Sequence, residues 1–440
     1  MSSDKLRVNA ERLRKDIDEL AEIGRAEDLG IYRMAFSEGD MQGRAWFRER
    51  IEESGLDFHQ DGAANLYARL NWDEQIPSVM AGSHLDTVPG AGHLDGALGV
   101  VCALEAVRTL SESGIKLSRP VEAVSFSDEE GRFGGLLGSQ AVAGLVTPEY
   151  LHNAIDLEGI SLTEAMKQHG LDAREAMRTQ RDAGSIHAYV ELHIEQGPVL
   201  DRNGISIGIV DAITGLFKWE ITLTGAANHA GTTPMEMRND AFQGLAEFAA
   251  QIDRVLSEYG STQSKATIGR VDLKPGAANV IPGEASFSLD VRDTDAQILE
   301  ELGEAFQRTL SAIARRRGLM FEYSVLSEIE PVHCAPMVLD AIESSVDGMQ
   351  LKSTHLSSGS AHDAQIIAGI AGVIGGIYGR LQAGNWMSFD GSTTAAAVGG
   401  YVAAETLLPV PGMNGIEVSR RIKNHPGLAK IPTIIMVTAY

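Results

Sequence analysis

The strongest constraint on the fold is the stretch GSHLDTVPGAGHLDGALG, which covers residues 82–99. It follows the apolar run 76–81, which predicts a buried strand, and it precedes a helical pattern. His84, Asp86 and Asp95 therefore fall at a strand end, among glycine and proline turns. Strand ends in an α/β sheet hold imidazole and carboxylate groups rigidly, as a divalent metal requires. The stretch predicts a metal site, with a polar loop that contains buried histidines as the alternative.

Two later strand ends carry the same kinds of side chain. The apolar run 121–127 ends in Asp128, followed by Glu129 and Glu130. Adjacent carboxylates point in different directions, so one can bind a metal while the other takes protons. The stretch 187–198 predicts a strand, and alternation along it would place Glu191, His193 and Glu195 on one face, with His193 as a further metal ligand. Solvated charge and a polar edge strand are the alternatives.

A second domain is predicted from residue 212 onward, where the composition changes. The pattern predicts strands at 213–224, 266–273, 284–292 and 319–328, with helices at 236–259 and 295–317. This βαββαβ order is the split-βαβ arrangement of a small sandwich domain. We therefore predict an inserted domain at 212–330, between two halves of a first domain at 1–211 and 331–410.

Several residues of these later regions are candidates for substrate contacts. His229 and Asn279 lie in predicted loops of the inserted domain, and Arg292 lies at a strand end. An arginine fork suits a carboxylate because it binds both oxygens, although a structural role is the alternative for each residue alone. His362 opens a predicted helix whose backbone amides could face an anion.

Composition excludes several classes of protein. The chain has 440 residues and a formal net charge of −23, which would repel a nucleic-acid backbone. No apolar run is long enough to span a membrane, and the charged N-terminus lacks the apolar core of a secretory signal. Two cysteines do not make a disulfide framework. We therefore predict a cytoplasmic protein whose partner is neither nucleic acid nor membrane.

A series of motifs then identifies a family. GSHLDTVPGAGHLDGALGV, FSDEEGRFG, ELHIEQGPVL, NHAGTTPMEMRNDA, NVIPGEASFSLDVRD and SGSAHDAQ occur in this order. From about residue 10 to about residue 367 the chain resembles the metal-dependent amidohydrolases that comprise N-carbamoyl-L-amino acid hydrolase, allantoate amidohydrolase and β-ureidopropionase. The resemblance implies an α/β fold: a metal-dependent exopeptidase-like catalytic domain with an inserted α+β domain for dimerisation and as a lid.

The resemblance also implies roles for single residues. His84 and His193 would bind one ion, Asp95 would bridge two ions, and Glu130 would bind the second. Glu129 would be the general base, and Asp86 would orient His84. The residues expected to contact substrate are Gln196, Asn279, Arg292 and His362, with Asn279 and Arg292 on its carboxylate. His229 would reach into the site of a dimer partner and steady the developing oxyanion.

The implied activity is hydrolysis of a C–N bond in N-carbamoyl amino acids or related ureido acids, such as allantoate and N-carbamoyl-β-alanine. It would use two divalent ions per subunit, zinc or manganese, with cobalt or nickel as alternatives, in a homodimer. Closure of the inserted domain would bring His229, Asn279 and Arg292 to the substrate. These amidohydrolases belong to the larger metallo-aminoacylase and carboxypeptidase superfamily. The alternatives are an aminoacylase or peptidase of that superfamily, and a catalytically weakened descendant that binds a ligand.

The chain departs from the family at two places. The family has a late Ser-His-x-Pro-x-Glu motif whose histidine completes the second metal site. No histidine occurs here between His362 and His425, and Phe389 takes its place if Ser388 aligns with the motif's serine. We therefore predict a weak second ion. Residues 411–440 resemble a fragment of a response-regulator receiver domain, too short to bury a core of its own.

Overall fold

The computed structural model of the chain describes residues 7–371 and 374–379. The described residues form two compact units. Unit 1 contains residues 7–211, 333–356, 362–371 and 374–379, and unit 2 contains residues 212–332 and 357–361. Phe389, which takes the place of the family's late histidine, and the receiver-like tail at 411–440 lie outside the described residues.

Unit 1 is an α/β unit. Its helices are α1 (Ala10–Glu22), α2 (Glu38–Glu53), α3 (Ala97–Ser113), α4 (Leu137–Val142), α5 (Pro148–Asn153), α6 (Leu162–Gln168) and α7 (Val199–Asn203). Its strands are β1 (Asp57–Gln60), β2 (Leu66–Leu70), β3 (Ser78–His84), β4 (Val121–Phe126), β5 (Ile186–Ile194) and β6 (Ile207–Ile213). A 3₁₀ helix covers Ala173–Arg178.

One mixed sheet organises this unit. The strand order is β1-β2-β4-β3-β5, followed by β16 (Ile374–Gly379) and β6. β3, β4, β5 and β16 are mutually parallel, so their carboxyl ends lie at one edge of the sheet. β3 and β4 are buried along their whole length, and α3, nearly all buried, packs against them. Parallel strands covered in this way read as continuous apolar runs, which is why the sequence predicts them.

Unit 2 is the smaller α+β unit. Its strands are β7 (Gly215–Thr224), β8 (Asn228–His229), β9 (Lys265–Thr267), β10 (Val271–Lys274), β11 (Val280–Ile281), β12 (Glu284–Asp293) and β13 (Met320–Ile329). Its helices are α8 (Ala241–Ala249), α9 (Ile252–Tyr259) and α10 (Ala296–Arg317), with a 3₁₀ turn at Met235–Met237. After it the chain forms β14 (Val332–His333), α11 (Pro336–Gly348), β15 (Ser353–Ser358) and α12 (Asp363–Ile367).

The sheet of unit 2 is antiparallel, in the order β10-β12-β7-β13, with β9 also paired to β12. Burial alternates along β7 and β12, as expected for a sheet with one covered face. The covered face meets α8, α9 and α10 in one apolar cluster that includes Phe248, Phe287 and Phe306. This core is the usual product of packing amphipathic helices on one side of a sheet.

Two predicted elements of unit 2 are divided in the structure. The helix predicted at 236–259 is two helices in the structure. α8 follows its N-cap residue Asp240, and α9 follows its own N-cap residue Gln251. The strand predicted at 266–273 is β9 and β10, both paired to β12. Between them Arg270 leaves the ladder and its backbone N–H binds the side chain of Ser288.

Residues 357–361 group with unit 2, although the sequence pattern assigned them to the first domain. Their hydrogen bonds explain the difference: Ser357 Oγ donates to Gln263, and the carbonyl of Gly359 accepts from Arg292.

Across the described residues, no helix combines the length and apolarity needed to cross a bilayer. Both cysteines, Cys102 and Cys334, are buried free thiols.

Candidate metal centre and active site

Three side chains converge at the carboxyl edge of the sheet of unit 1. His84 ends β3, His193 lies near the end of β5, and Asp95 lies in the turn before α3. One ligand atom from each lies within 4.8 Å of the others. His84 Nδ1 contacts the carbonyl of Asp86 and His193 Nδ1 contacts the carbonyl of Ile194, each at 2.9 Å. These contacts direct both Nε2 atoms toward the group, and two imidazoles with a carboxylate are a suitable ligand set for a divalent ion.

A glycine lets the Asp95 turn pass close to the His84 ring. A Cβ atom added at Gly96 would lie 2.3 Å from His84 Cε1, and Gly96 has φ +59°. Both observations exclude larger residues, since only glycine adopts such a backbone without steric cost. The close approach brings the carboxylate of Asp95 beside the imidazole rings, with Asp95 Oδ1 at 3.1 Å from His193 Nε2.

Asp86 connects two strand ends. Its carboxylate accepts the backbone N–H groups of Glu129, at 3.3 Å, and Glu130, at 3.1 Å. Asp86, expected to orient His84, contacts the ring through its backbone carbonyl. The chain turns after β3, so the carboxylate points toward the loop that follows β4. Asp86 therefore holds the two glutamates in place beside the imidazole of His84.

The two glutamates lie in a buried, acidic environment. Glu129 Oε2 is 3.4 Å from His84 Nε2. Burial raises the pKa of Glu129 to about 8; Glu130, Glu191 and Asp86 add to this rise, and His84 opposes it. Burial also raises the pKa of Glu130. Within the described residues Glu130 Oε1 is a buried oxygen without a hydrogen-bond partner. An unsatisfied buried carboxylate oxygen is costly, so this atom fits a bound cation.

The histidines of the group differ in their charge environment. Burial lowers the pKa of His84, but four surrounding carboxylates outweigh burial and raise it well above its ordinary value. Burial, together with His193 and His84, lowers the pKa of His362 well below its ordinary value. Negative charge thus concentrates around His84, and a cation there would be stabilised.

Gln196 contacts a metal candidate, and Glu195 lies differently from the sequence expectation. Gln196, expected on the substrate, donates from Nε2 to Asp95 Oδ2 at 2.8 Å, with φ +54°. Glu195, expected on one face with Glu191 and His193, is beyond the end of β5. Its carboxylate instead accepts the backbone N–H groups of Val199 and Leu200 at the start of α7. The strand ends one residue too early for the alternation to reach it.

Two side chains of the site were not found from the sequence. The Tyr378 hydroxyl lies 3.1 Å from His362 Nε2, and Tyr378 is the register partner of His193 in β16. Glu191, treated only as part of a polar face, is buried and accepts from Ser83 Oγ and the backbone N–H of Ala364. The glycine-rich sequence around Tyr378 gives no periodicity that would identify a strand.

The candidate residues of unit 2 are more exposed. β8 pairs with β11, which places His229 opposite Val280, and the carbonyl of Asn279 accepts the N–H of Ala230 at 2.9 Å. His229 and Asn279 are both exposed neighbours on this small hairpin-like pair. Arg292 is half-buried; Nε and Nη2 bind Asp290, and Nη1 binds the carbonyl of Gly359 at 2.5 Å. Its guanidinium is therefore held in one orientation.

Buried imidazoles and carboxylates at the carboxyl edge of a largely parallel sheet define a metal-dependent enzyme of the α/β class. Comparison with known proteins agrees with this class. The model of Peptidase family M20/M25/M40 matches residues 80–393. The chain belongs to this family.

Named relatives cover most of the chain. It is 38% identical over 383 residues to the N-carbamoyl-L-amino acid amidohydrolase of Geobacillus stearothermophilus, covering 86% of this chain and 92% of that protein. It is 35% identical over 352 residues to the allantoate amidohydrolase of Escherichia coli K12, covering 79% and 85%. The solved structure of a hydantoinase/carbamoylase family amidase from Burkholderia multivorans matches with a TM-score of 0.81 at 29% identity, covering 92% of this chain and 100% of that one.

Proposed function

We propose that this enzyme hydrolyses the C–N bond of N-carbamoyl amino acids or related ureido acids, such as allantoate and N-carbamoyl-β-alanine. The observation that carries the proposal is the group of His84, Asp95 and His193, with Glu129 directly against His84. The relatives named as N-carbamoyl-L-amino acid and allantoate amidohydrolases support this substrate class over peptides.

The proposed cofactors are two divalent ions per subunit, zinc or manganese. His84, His193 and Asp95 would hold one ion, and Asp95 with Glu130 would hold the other. The buried Glu130 oxygen without a partner supports the second assignment. Bound ions would polarise the ureido carbonyl and acidify water at the site.

Glu129 is proposed as the general base. Its carboxylate takes a proton from the attacking water and gives it to the leaving nitrogen. The backbone N–H of Glu129 is held by Asp86, which limits the positions that the side chain can reach. Burial raises the pKa of Glu129 above its ordinary value, which makes the carboxylate a stronger proton acceptor.

Unit 2 is proposed to bind the substrate carboxylate. Arg292 and Asn279 are the proposed contacts, and Asp290 and Gly359 hold the guanidinium of Arg292 ready for a planar anion. His229 is proposed to donate to the developing oxyanion. Gln196 and His362 of unit 1 are proposed as further substrate contacts.

A homodimer through unit 2 is part of the proposal. β13 is an edge strand with the exposed apolar side chains Met320, Val325 and Leu326. Along α10 the acids occupy the first half and the arginines the second half: Glu300, Glu301 and Glu304 against Arg308, Arg315, Arg316 and Arg317. A twofold axis would place opposite charges against each other, and such self-complementarity is what an isologous interface needs.

The free thiols of Cys102 and Cys334 support the proposal of a reducing, cytoplasmic location.

The deciding experiment is a substrate panel. Purified enzyme with added Mn²⁺ or Zn²⁺ would be assayed on N-carbamoyl-L-amino acids, N-carbamoyl-β-alanine, allantoate, N-acetyl amino acids and dipeptides. Turnover of the ureido acids, lost in Glu129→Gln, is the expected result. Faster turnover of N-acetyl amino acids or dipeptides would indicate an aminoacylase or peptidase instead.

The departure at Phe389 favours a second candidate, a ligand-binding protein with little catalysis. In that case calorimetry would detect binding of ureido acids while none is hydrolysed, even with excess metal. The two candidates therefore differ in turnover and agree in binding.

A further inference from the structure

Outside the candidate metal residues, unit 1 contains an unusual concentration of buried charge in residues 31–44, named here the 31–44 segment. Arg33 has no exposed surface, and Asp40 and Arg44 are also buried. Charged side chains are seldom buried unless they are paired or perform a specific task. The contacts of these three residues lead to the loops that carry the metal and base residues.

Arg33 holds the loop that follows β3. Its backbone N–H donates to Thr87 Oγ1 at 2.9 Å, and its carbonyl accepts the N–H of Thr87 at 3.1 Å. Its side-chain Nε donates to the carbonyl of Leu85 at 3.1 Å. Arg33 therefore binds the residues on both sides of Asp86, directly after the metal candidate His84.

The other end of the Arg33 side chain is anchored on α1. Nη1 donates to the carbonyls of Leu20 and Ile23, each at 3.0 Å, while Nη2 has no hydrogen-bond partner among the described residues. Burial lowers the pKa of Arg33 to about 10, so it remains charged at neutral pH. A buried cation with an unsatisfied N–H stabilises a fold less than an apolar side chain of similar size would. Stability alone does not account for this arginine.

Arg44 reaches the loop that follows β4. Asp40 Oδ2 accepts from Arg44 Nε and from the backbone N–H of Phe36, both at 2.7 Å. Arg44 then donates to Ser127 Oγ at 3.1 Å. Ser127 directly follows β4 and lies two residues before Glu129. The 31–44 segment thus contacts both loops that Asp86 also connects.

We propose that Arg33 and Arg44 are positioning residues: Arg33 fixes the His84–Thr87 loop for metal binding, and Arg44 fixes the Ser127–Glu130 loop for proton transfer. The inference rests on the metal group and base of the proposed function. Neither arginine is assigned a contact with substrate. Each acts through hydrogen bonds to backbone or hydroxyl groups that carry the reacting side chains.

The test of Arg33 is the affinity of the full-length chain for Zn²⁺, measured by competition with a chromophoric chelator. Arg33→Met should bind Zn²⁺ at least about 10-fold more weakly, the usual scale for losing a group that orients ligands. The matched control is Arg108→Met. Arg108 is also a buried arginine, but it binds Asp16, Ser54 and the carbonyl of Arg50, none of which belongs to either loop. The control should change the affinity less than about twofold, within the scatter of a distant, independent site.

A second pair of variants covers the case in which Arg33→Met does not fold. Thr87→Val removes the hydroxyl that accepts from the backbone N–H of Arg33 and so loosens the attachment of the loop to residue 33, whereas Thr109→Val removes a buried hydroxyl on α3. Only Thr87→Val should weaken Zn²⁺ binding. The test of Arg44 is the split between kcat and KM: Arg44→Met should lower kcat about 10-fold at saturating metal, with KM and Zn²⁺ affinity little changed.

The outcomes separate this inference from the proposed function. Equal effects of Arg33→Met and Arg108→Met on Zn²⁺ affinity, or equal effects of the threonine pair, would overturn the assignment of Arg33 while leaving the metal group intact. An unchanged kcat in Arg44→Met would overturn the assignment of Arg44. A wild-type chain that binds no divalent ion would refute the metal group and this inference together.

Discussion

The two units of the molecule carry their candidate site residues in opposite environments. In unit 1, His84 is 1% exposed and His193 is 4% exposed, at the ends of parallel strands. In unit 2, His229 and Asn279 are exposed on a short pair of strands. Rigid, buried positions suit groups that must hold a metal and move a proton, because their pKa values and geometry are set by the surroundings. Exposed positions suit groups that meet a ligand or a second subunit.

The interiors differ in the same way. The core of unit 2 is an apolar cluster on one face of an antiparallel sheet. Unit 1 buries charged groups as well, among them Arg33, Asp40, Asp86 and Glu191. Burying charge costs free energy unless every group is paired. We infer that the buried charges of unit 1 lower its stability and fix the positions of the side chains at its strand ends. The comparison predicts that substitutions in unit 1 change chemistry first, whereas those in unit 2 change stability or binding first.

The largest expected effect is on chemistry in unit 1. Glu129→Gln should lower kcat about 10³-fold, because the amide cannot accept the proton of the attacking water. Zn²⁺ affinity should stay close to that of wild type, since Glu129 is proposed as base and not as ligand. Steady-state kinetics and chelator competition on the same preparation check both parts. Retained turnover, or loss of metal, would contradict the assignment.

The next effect tests the apolar core of unit 2. Phe287→Ala removes a ring that is fully buried against Phe248, and should lower the free energy of unfolding by about 3–4 kcal/mol. The Zn²⁺ affinity of the folded protein should not change, because none of the metal candidates is a member of this cluster. Denaturant titration and metal competition measure the two quantities. A large loss of metal affinity would show that the metal group depends on unit 2.

A third effect concerns the second ion. Without a late histidine in the expected region, the second ion would be held by Asp95, Glu130 and water. Loss of one ligand should weaken this ion by at least about 10–100-fold relative to the first. Metal analysis after dialysis should therefore find one tightly held ion per chain and one that exchanges. Two tightly held ions would mean that another residue completes the site, and Phe389→His would then have no effect.

A smaller effect tests binding by unit 2. Arg292→Lys keeps the charge but loses the planar fork, and should raise KM for a ureido acid about 10-fold with little change in kcat. Lys218→Met is the control, because Lys218 lies 3.6 Å from the same Asp290 without being a proposed ligand. Equal changes in KM for both variants would remove the specific role of Arg292.

The sequence predicts the buried parts of this molecule better than its connections. The strands that end at His84 and Phe126 follow from apolar runs and the strand that ends at Ile194 follows from alternation, so the sequence predicts these strands and the side chains at their ends. Local turns do not follow in this way. Whether the ring of His84 meets the carboxylate or the carbonyl of Asp86 depends on one or two backbone angles. The same limit applies to Glu195, where the strand ends one residue early, and to the break between α8 and α9.

Contacts between residues far apart in the sequence could not be predicted either. Tyr378 and Arg33 contact residues far away in sequence, His362 and Thr87. Arg33 lies 54 residues from Thr87, and no spacing rule connects them. The motifs identify which residues hold the chemistry, and the fold shows what holds those residues in place.

The smallest expected effect is a partial recovery, and it tests whether the exposed side chains of unit 2 serve a second copy of the chain. His229 is exposed, and its Nδ1 accepts the neighbouring backbone N–H of Gly231 at 3.1 Å. If His229 acts across a homodimer, mixing inactive His229→Ala with inactive Glu129→Gln subunits should create one complete site in each mixed dimer. Random exchange makes half of the dimers mixed, so activity should recover to about one quarter of wild type. The control is each variant incubated alone under the same exchange conditions, which should stay inactive. A monomer by sedimentation, or mixed dimers that form without recovery, would show that His229 serves its own chain and that exposure in unit 2 does not indicate a shared site.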